Sequence, residues 1–272
     1  MLQQKGLSLV ELMIALLLGS LLAIAATQLF IVNRHTDNLQ SGIAGVQDNG
    51  RFAFDYMSRS FMEAGLGEEE PIVPFILDGS TFNPGTPSKA EVTDDDKYDS
   101  VAYEVNGGKD CVGNALTGYK RFHVLADADG KRLVCTSYEF DTGTNSWSFD
   151  DSGPLIDNIE SFQVLYGVDF DSADEVGYGS ADVYTNATRL KSMATQLKKG
   201  SVRIVSVRFS VLLVSDEKVT LDPEYAPDAI DVLDQRYVQG DVTDGLAINF
   251  EDGRMYRTYG STVAIRNLVG GI

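Results

Sequence analysis

From Leu12 to Val32 the chain runs 21 residues without a formal charge, and Glu11 stands at the start of that run. As a helix at about 1.5 Å per residue the run is about 30 Å long, the thickness of a bilayer core. Such a segment is either a membrane helix or a signal peptide. The second reading has support, because Lys5 supplies a basic start, Leu7 to Leu22 an apolar centre and Ala23-Ile24-Ala25 an A-x-A-like site. Glu11 speaks against it. A carboxylate inside a membrane segment costs about 2–3 kcal/mol even on lenient insertion scales, and a segment destined for removal has no use for one. An intramembrane charge implies a partner, unless it sits close enough to the interface to reach headgroups.

Beyond Val32 the apolar run ends but helical periodicity continues. Leu39, Ile43, Val46, Gly50, Ala53, Met57 and Phe61 recur at spacings of three and four, while Arg34, Asp37, Gln40, Gln47, Asp48, Arg51, Asp55 and Arg59 occupy the other faces. The pattern predicts one continuous helix from Ser8 to Ala64, about 85 Å long, with a lipid-embedded lower half and an upper half packed on a domain. Gly65 and Gly67 are expected to stop it. Gly19, Gly42, Gly45 and Gly50 each weaken it by about 1 kcal/mol relative to alanine.

The text then changes. Residues 67–97 are rich in Pro, Gly and Asp, which is loop chemistry. Period-two strands follow: Val101, Tyr103, Val105; Phe162, Val164, Tyr166, Val168; and the best run, Val205, Val207, Phe209, Val211, Leu213. Shorter strand candidates are 121–126, 132–140 and 255–265, and 188–200 reads as a short helix stopped by Gly200. A mostly antiparallel sheet laid on the upper half of the N-terminal helix buries both apolar faces at once, an α+β arrangement.

The formal charge is −18, from 40 acidic and 22 basic residues, so the folded part should repel phosphate backbones, and no direct nucleic-acid role is expected. Catalytic fingerprints of hydrolases, P-loop and dinucleotide-binding enzymes and zinc proteases are missing, and His123 alone in a strand does not make a site. Cys111 and Cys135 allow a disulfide, two buried thiols or half of a metal site, while His35 and His123 are too few to complete a zinc tetrad. An oxidising compartment would favour the disulfide. No cofactor is called for. Calcium is a weak candidate at three acidic groups: Asp94, Asp95, Asp96 and Asp99; Asp127 and Asp129; and Asp169, Asp171 and Asp174, the last being the best placed, although none fits an EF-hand loop.

The segment KGLSLVELMIALLLGSLL resembles the class III leader of type IV pilins and pseudopilins: a short basic leader ending in Gly6, then an apolar helix with a glutamate at the fifth position, Glu11. The resemblance implies cleavage by a prepilin peptidase between Gly6 and Leu7, N-methylation of Leu7, and retention of the apolar helix. It also implies that Glu11 attracts the N-terminal amine of a neighbouring subunit during assembly. The family most often has phenylalanine after the cut, where this chain has Leu7. The blocks VQDNGRFAFDYMSRSFMEAGL, PLIDNIESFQVLYGVD, VRIVSVRFSVLLVS and RMYRTYGSTVAIRNLV are similar to PilW-type minor pilins, which also commonly carry a disulfide where Cys111 and Cys135 fall. The implied organisation is a leader at 1–6, a transmembrane and stalk helix at 7–66 and a periplasmic β-rich domain at 67–272. The implied role is non-enzymatic: a minor pilin in the inner membrane, working with other minor pilins and the major pilin in type IV pilus initiation. A type II secretion pseudopilin and a membrane-tethered adhesin are the alternatives.

Overall fold

A computed structural model describes residues 8–65, 73–77, 97–127, 130–141, 143, 146–219, 226–240 and 246–265. Gly6, Leu7, Gly67, Asp94, Asp95, Asp96 and Asp129 lie outside the described residues, as does the side chain of Asp127.

Helix α1 spans Leu9–Met62, 54 residues without a break. No proline interrupts it, and its C-terminal turn closes with the N–H groups of Glu63 and Ala64 donating to Ser60 and Phe61 carbonyls. Gly65 follows at φ 77°, a left-handed stop that a side chain would strain. The expected stripe is buried from Val46 upward, through Gly50, Ala53, Met57 and Phe61. Leu39 is exposed and Ile43 half-buried, because the domain reaches only the upper part of the helix.

The β-structure forms three sheets. The first is an antiparallel meander of β1 (Val101–Lys109), β2 (Ala115–Asp127), β3 (Gly130–Asp141) and β4 (Ser146–Asp157), in that spatial order. The second comprises β5 (Ile159–Asp169), β6 (Val183–Thr185), β7 (Arg203–Val214) and β11 (Tyr256–Ala264), all antiparallel, ordered β11-β7-β5-β6. The third is small: β8 (Ala229–Val232), β9 (Gln235–Gln239) and β10 (Ala247–Ile248). Asn158, at φ 58°, is the sole residue between β4 and β5, so the chain leaves one sheet and enters the next at a single left-handed corner. Its carbonyl accepts from the Val214 N–H and its amide donates to Asp216, which pins the corner to the end of β7.

Period-two patterning located β1, β5 and β7, whose inward faces are hydrophobic, and the shorter candidates at 121–126, 132–140 and 255–265 fall in β2, β3 and β11. Patterning did not pick out β4, whose sequence carries Asp150, Asp151, Gly153 and Pro154. The structure tolerates them because β4 is the edge of its sheet, where a proline has no outer partner to donate to. The register also shifts beside it, between Leu133 and Val134. The single helix expected at 188–200 is two: α2 (Ala187–Ser192), capped by the Asn186 carboxamide oxygen accepting from the Arg189 N–H, and α3 (Ala194–Lys198). Met193, at φ −98° and ψ 7°, separates them, and Gly200 at φ 69° ends the pair as expected.

The core lies where the top of α1 meets both larger sheets. The ring of Phe61 sits 5.8 Å from Tyr103 of β1, 5.4 Å from Phe122 of β2 and 5.5 Å from Phe209 of β7. Two of the helical glycines have a packing reason. A Cβ on Gly50 would meet the Tyr259 ring of β11 at 2.6 Å, and one on Gly42 would collide with Val219. Gly19 and Gly45 have open space beside them. The third sheet is tied in by Tyr237, whose buried hydroxyl hydrogen-bonds the Ser161 hydroxyl at 2.7 Å and accepts from Gln163 at 3.2 Å. The whole is the α+β architecture expected: a long helix with an apolar stretch, packed on mostly antiparallel sheet.

Candidate functional site

The N-terminal half of α1 is bare. Every residue from 8 to 34 is exposed, including Leu9 at 74% and Leu22 at 72%. This is a surface of apolar side chains that water will not tolerate, and lipid or other apolar helices must cover it. Two of its hydroxyls, and one just above it, bond within the helix: Ser20 donates to the Leu17 carbonyl, Thr27 to Ala23 and Thr36 to Val32, at 2.8, 2.8 and 3.0 Å. Past its first turn, the backbone and the hydroxyls of Ser20 and Thr27 therefore make no demand on an apolar medium.

Glu11 does make one. It lies in the first turn, where the helix dipole favours a negative charge, but no ion pair within the described residues reaches it. The next described cation along the helix is Arg34, at the far end of the apolar run, stacked on the Phe30 ring 5.3 Å away. A carboxylate so placed is costly in lipid unless a cation or the membrane interface reaches it.

At the other end of α1 a second constellation assembles. Cys111 and Cys135 form a disulfide, with Cα atoms 5.6 Å apart. The Tyr56 hydroxyl of α1 donates to the Cys111 carbonyl at 3.0 Å and lies 3.9 Å from the Cys135 sulfur. Beside it the 110–114 turn closes on Asp110. One carboxylate oxygen accepts from the N–H groups of Val112, Gly113 and Asn114 at 2.9, 2.6 and 2.7 Å, and the other accepts from the Asn114 carboxamide at 2.9 Å. Burial alone would push the Asp110 pKa up, but these bonds outweigh it and hold it below the usual carboxylate range. Lys120, only 2% exposed, donates to Glu63 at 2.7 Å. A tertiary pairing of α1 with β2 was invisible in the sequence.

The acidic loop after β5 is only partly as expected. Asp169 and Asp171 come together, but the third member is Asp182, not Asp174; carboxylate oxygens of Asp169, Asp171 and Asp182 lie within 4.8 Å of one another. Pairing of β6 with β5 returns Asp182 to the strand end, where its carboxylate accepts from the Phe170 N–H, while Asp174 stays in the exposed turn. Asp169 is already engaged. It accepts from the N–H groups of Asp171 and Gly179 at 2.8 Å each and from the Arg203 guanidinium at 2.7 Å, and Arg203 lies 3.6 Å over the Tyr178 ring. The guanidinium stands where a bound cation would have to be tolerated, so the cluster reads as a loop clamp. Asp99 likewise turns inward, accepting from the Val164 N–H at 2.7 Å. His35 is on α1 and His123 on β2, and among the described residues neither belongs to a group of three or more His, Cys, Asp or Glu side chains placed to hold a metal.

The clamp has a pH signature. Burial would raise the Asp169 pKa, yet the Gly179 N–H, Arg203 and the Asp171 N–H lower it overall. A carboxylate whose folded pKa is depressed stabilises the fold fully above its unfolded value, and that stability is lost as pH falls through the folded pKa. The urea midpoint of the detergent-solubilised chain should therefore be flat near neutrality and fall below about pH 4. Asp169→Asn should lower the midpoint near neutrality and flatten the acid decline; an unchanged decline would assign it to other carboxylates.

A bare apolar helix continuing as the spine of an antiparallel domain is a pilin-like architecture. A model of the family described as type IV pilus-assembly protein W matches residues 121–267, just over half of the chain, and a prokaryotic N-terminal methylation motif matches residues 1–27. The chain belongs to the PilW family of type IV minor pilins. No curated protein matches it in sequence. Among solved structures, a type IV-like pilin from Thermus thermophilus aligns over 82% of this chain and 98% of its own, with a TM-score of 0.38 and 10% identity.

Proposed function

We propose that this chain is a minor pilin that takes part in initiating and assembling a type IV pilus. A prepilin peptidase cuts between Gly6 and Leu7 and methylates the new terminus. The helix from 7 to 66 then anchors a single-pass protein in the bacterial inner membrane, with the domain from 67 to 272 in the periplasm. Glu11 draws the N-terminal amine of another pilin into register, and the apolar helix passes from lipid into the fibre. Its partners are other minor pilins, the major pilin and the peptidase. The role is structural, without catalysis.

One observation carries this reading: a carboxylate on an otherwise apolar, wholly exposed helix face that no described cation of the same chain reaches. In a low-dielectric medium an unpaired charge is costly and a paired one directional, so the carboxylate both requires and selects an amine at one height along the helix. Glu11→Ala should leave synthesis and processing unchanged while reducing surface pili by about tenfold or more, counted by electron microscopy, which corresponds to loss of at least about 1.4 kcal/mol of docking free energy. Normal piliation in that variant would count heavily against the assembly role. Mass spectrometry of the mature protein should find Leu7 first; a terminus near Thr27 would mean the helix is discarded and the proposal is wrong.

A further inference from the structure

The upper end of α1 and the disulfide-closed turn enclose a groove of about 400 Å3. One wall is Phe52 and Tyr56, their rings 6.1 Å apart; the other is Cys111, Val112 and Gly113; the Lys120–Glu63 pair lies at its base. Phe52 and Val112 are about half exposed, at 52% and 53%, on opposite lips. The groove's charges are compensated internally. Three cations, Arg59, Lys109 and Lys120, line the groove beside three carboxylates, Asp55, Glu63 and Asp110; Lys120 holds Glu63, Arg59 lies 3.7 Å from Asp55, and Asp110 is bonded by its own turn. On a chain of net charge −18 this is a locally neutral, largely apolar concavity.

We propose that the groove receives an apolar anchor side chain from a neighbouring pilin-type subunit of different sequence, a contact that rests on the assembly role above. Three observations select that occupant. Paired charges and apolar lips favour an aromatic or branched aliphatic group, the kind that anchors protein interfaces in pockets. The net charge makes a second copy self-repelling, so a less acidic partner is favoured. The groove's wall is the same unbroken helix as the bare segment, so a subunit lying along Leu9 to Val32 is led up one axis to Phe52, about 30 Å above Val32.

Photo-cross-linking in piliated cells tests this with the full-length protein. A benzophenone amino acid replaces Val112, and in a control it replaces Val176, fully exposed in the loop after β5. The 112 probe should give a covalent adduct with a different pilin, identified by mass spectrometry, about tenfold above the 176 probe. Phe52→Asp, or Phe52→Ser if the first variant melts early, should cut that adduct about tenfold while leaving the melting temperature in place. An adduct with a second copy, a yield no higher than at 176, or an adduct indifferent to both Phe52 variants overturns the groove assignment. That failure is separable from failure of the assembly role, since Glu11→Ala is read by piliation alone.

Discussion

Phe61→Ala should destabilise the domain by about 3–5 kcal/mol, the largest effect of any single truncation in α1. Phe61 is fully buried and touches the aromatic rings of Tyr103, Phe122 and Phe209, so its removal opens a cavity at the one place where the helix meets both larger sheets. Neighbouring rings cannot close the gap, because each is held by its own strand. For a domain of this size the melting temperature should fall by about 10 °C. Met62→Ala, one residue on and 42% exposed, should cost less than about 1 kcal/mol and serves as the control. Equal effects for the two would show that the stalk is not built into the core.

Removal of the disulfide, with Cys111→Ala and Cys135→Ala together, should cost about 3.5 kcal/mol on the chain-entropy model, since the two residues are 24 positions apart. The loop so closed contains β2, the 110–114 turn and the hairpin into β3, all of which gain freedom in the unfolded chain when the bond is absent. Treating the native protein with a reductant should lower its urea midpoint by a similar amount and leave the double variant's midpoint unmoved. Tyr56 stays behind as a partial tie through the Cys111 carbonyl, so the groove should loosen while the sheets persist. A reductant effect of the same size in both proteins would assign the stabilisation elsewhere.

Some of this molecule was plain in its text. The unbroken charge-free run with Glu11 at its head, the three-and-four stripe up to Phe61 and the period-two strands at 162–168 and 205–213 are local signals, because helix and strand periodicities are properties of consecutive residues. The strand β4, with Pro154 inside it, was not picked out, and a proline there is acceptable only because the strand is an edge, which belongs to the sheet rather than the segment. Gly42 and Gly50 read as weak points in a helix. Their real meaning, close approach of Val219 and the Tyr259 ring, appears only when residues far along the chain are laid beside them. The acidic loop misled in the same way: Asp174 was the expected third member, and strand pairing set Asp182, thirteen positions after Asp169, in that place.

What the sequence determined by itself was the long apolar helix with a carboxylate at its head: length and hydrophobicity are enough, because transfer into lipid is close to additive along a helix. What only the tertiary structure decided was the groove beneath the disulfide, the Lys120–Glu63 pair and the Asp169–Arg203 clamp. Each joins side chains dozens of positions apart, and a buried charge or an apolar hollow acquires its energy from neighbours that no local pattern records.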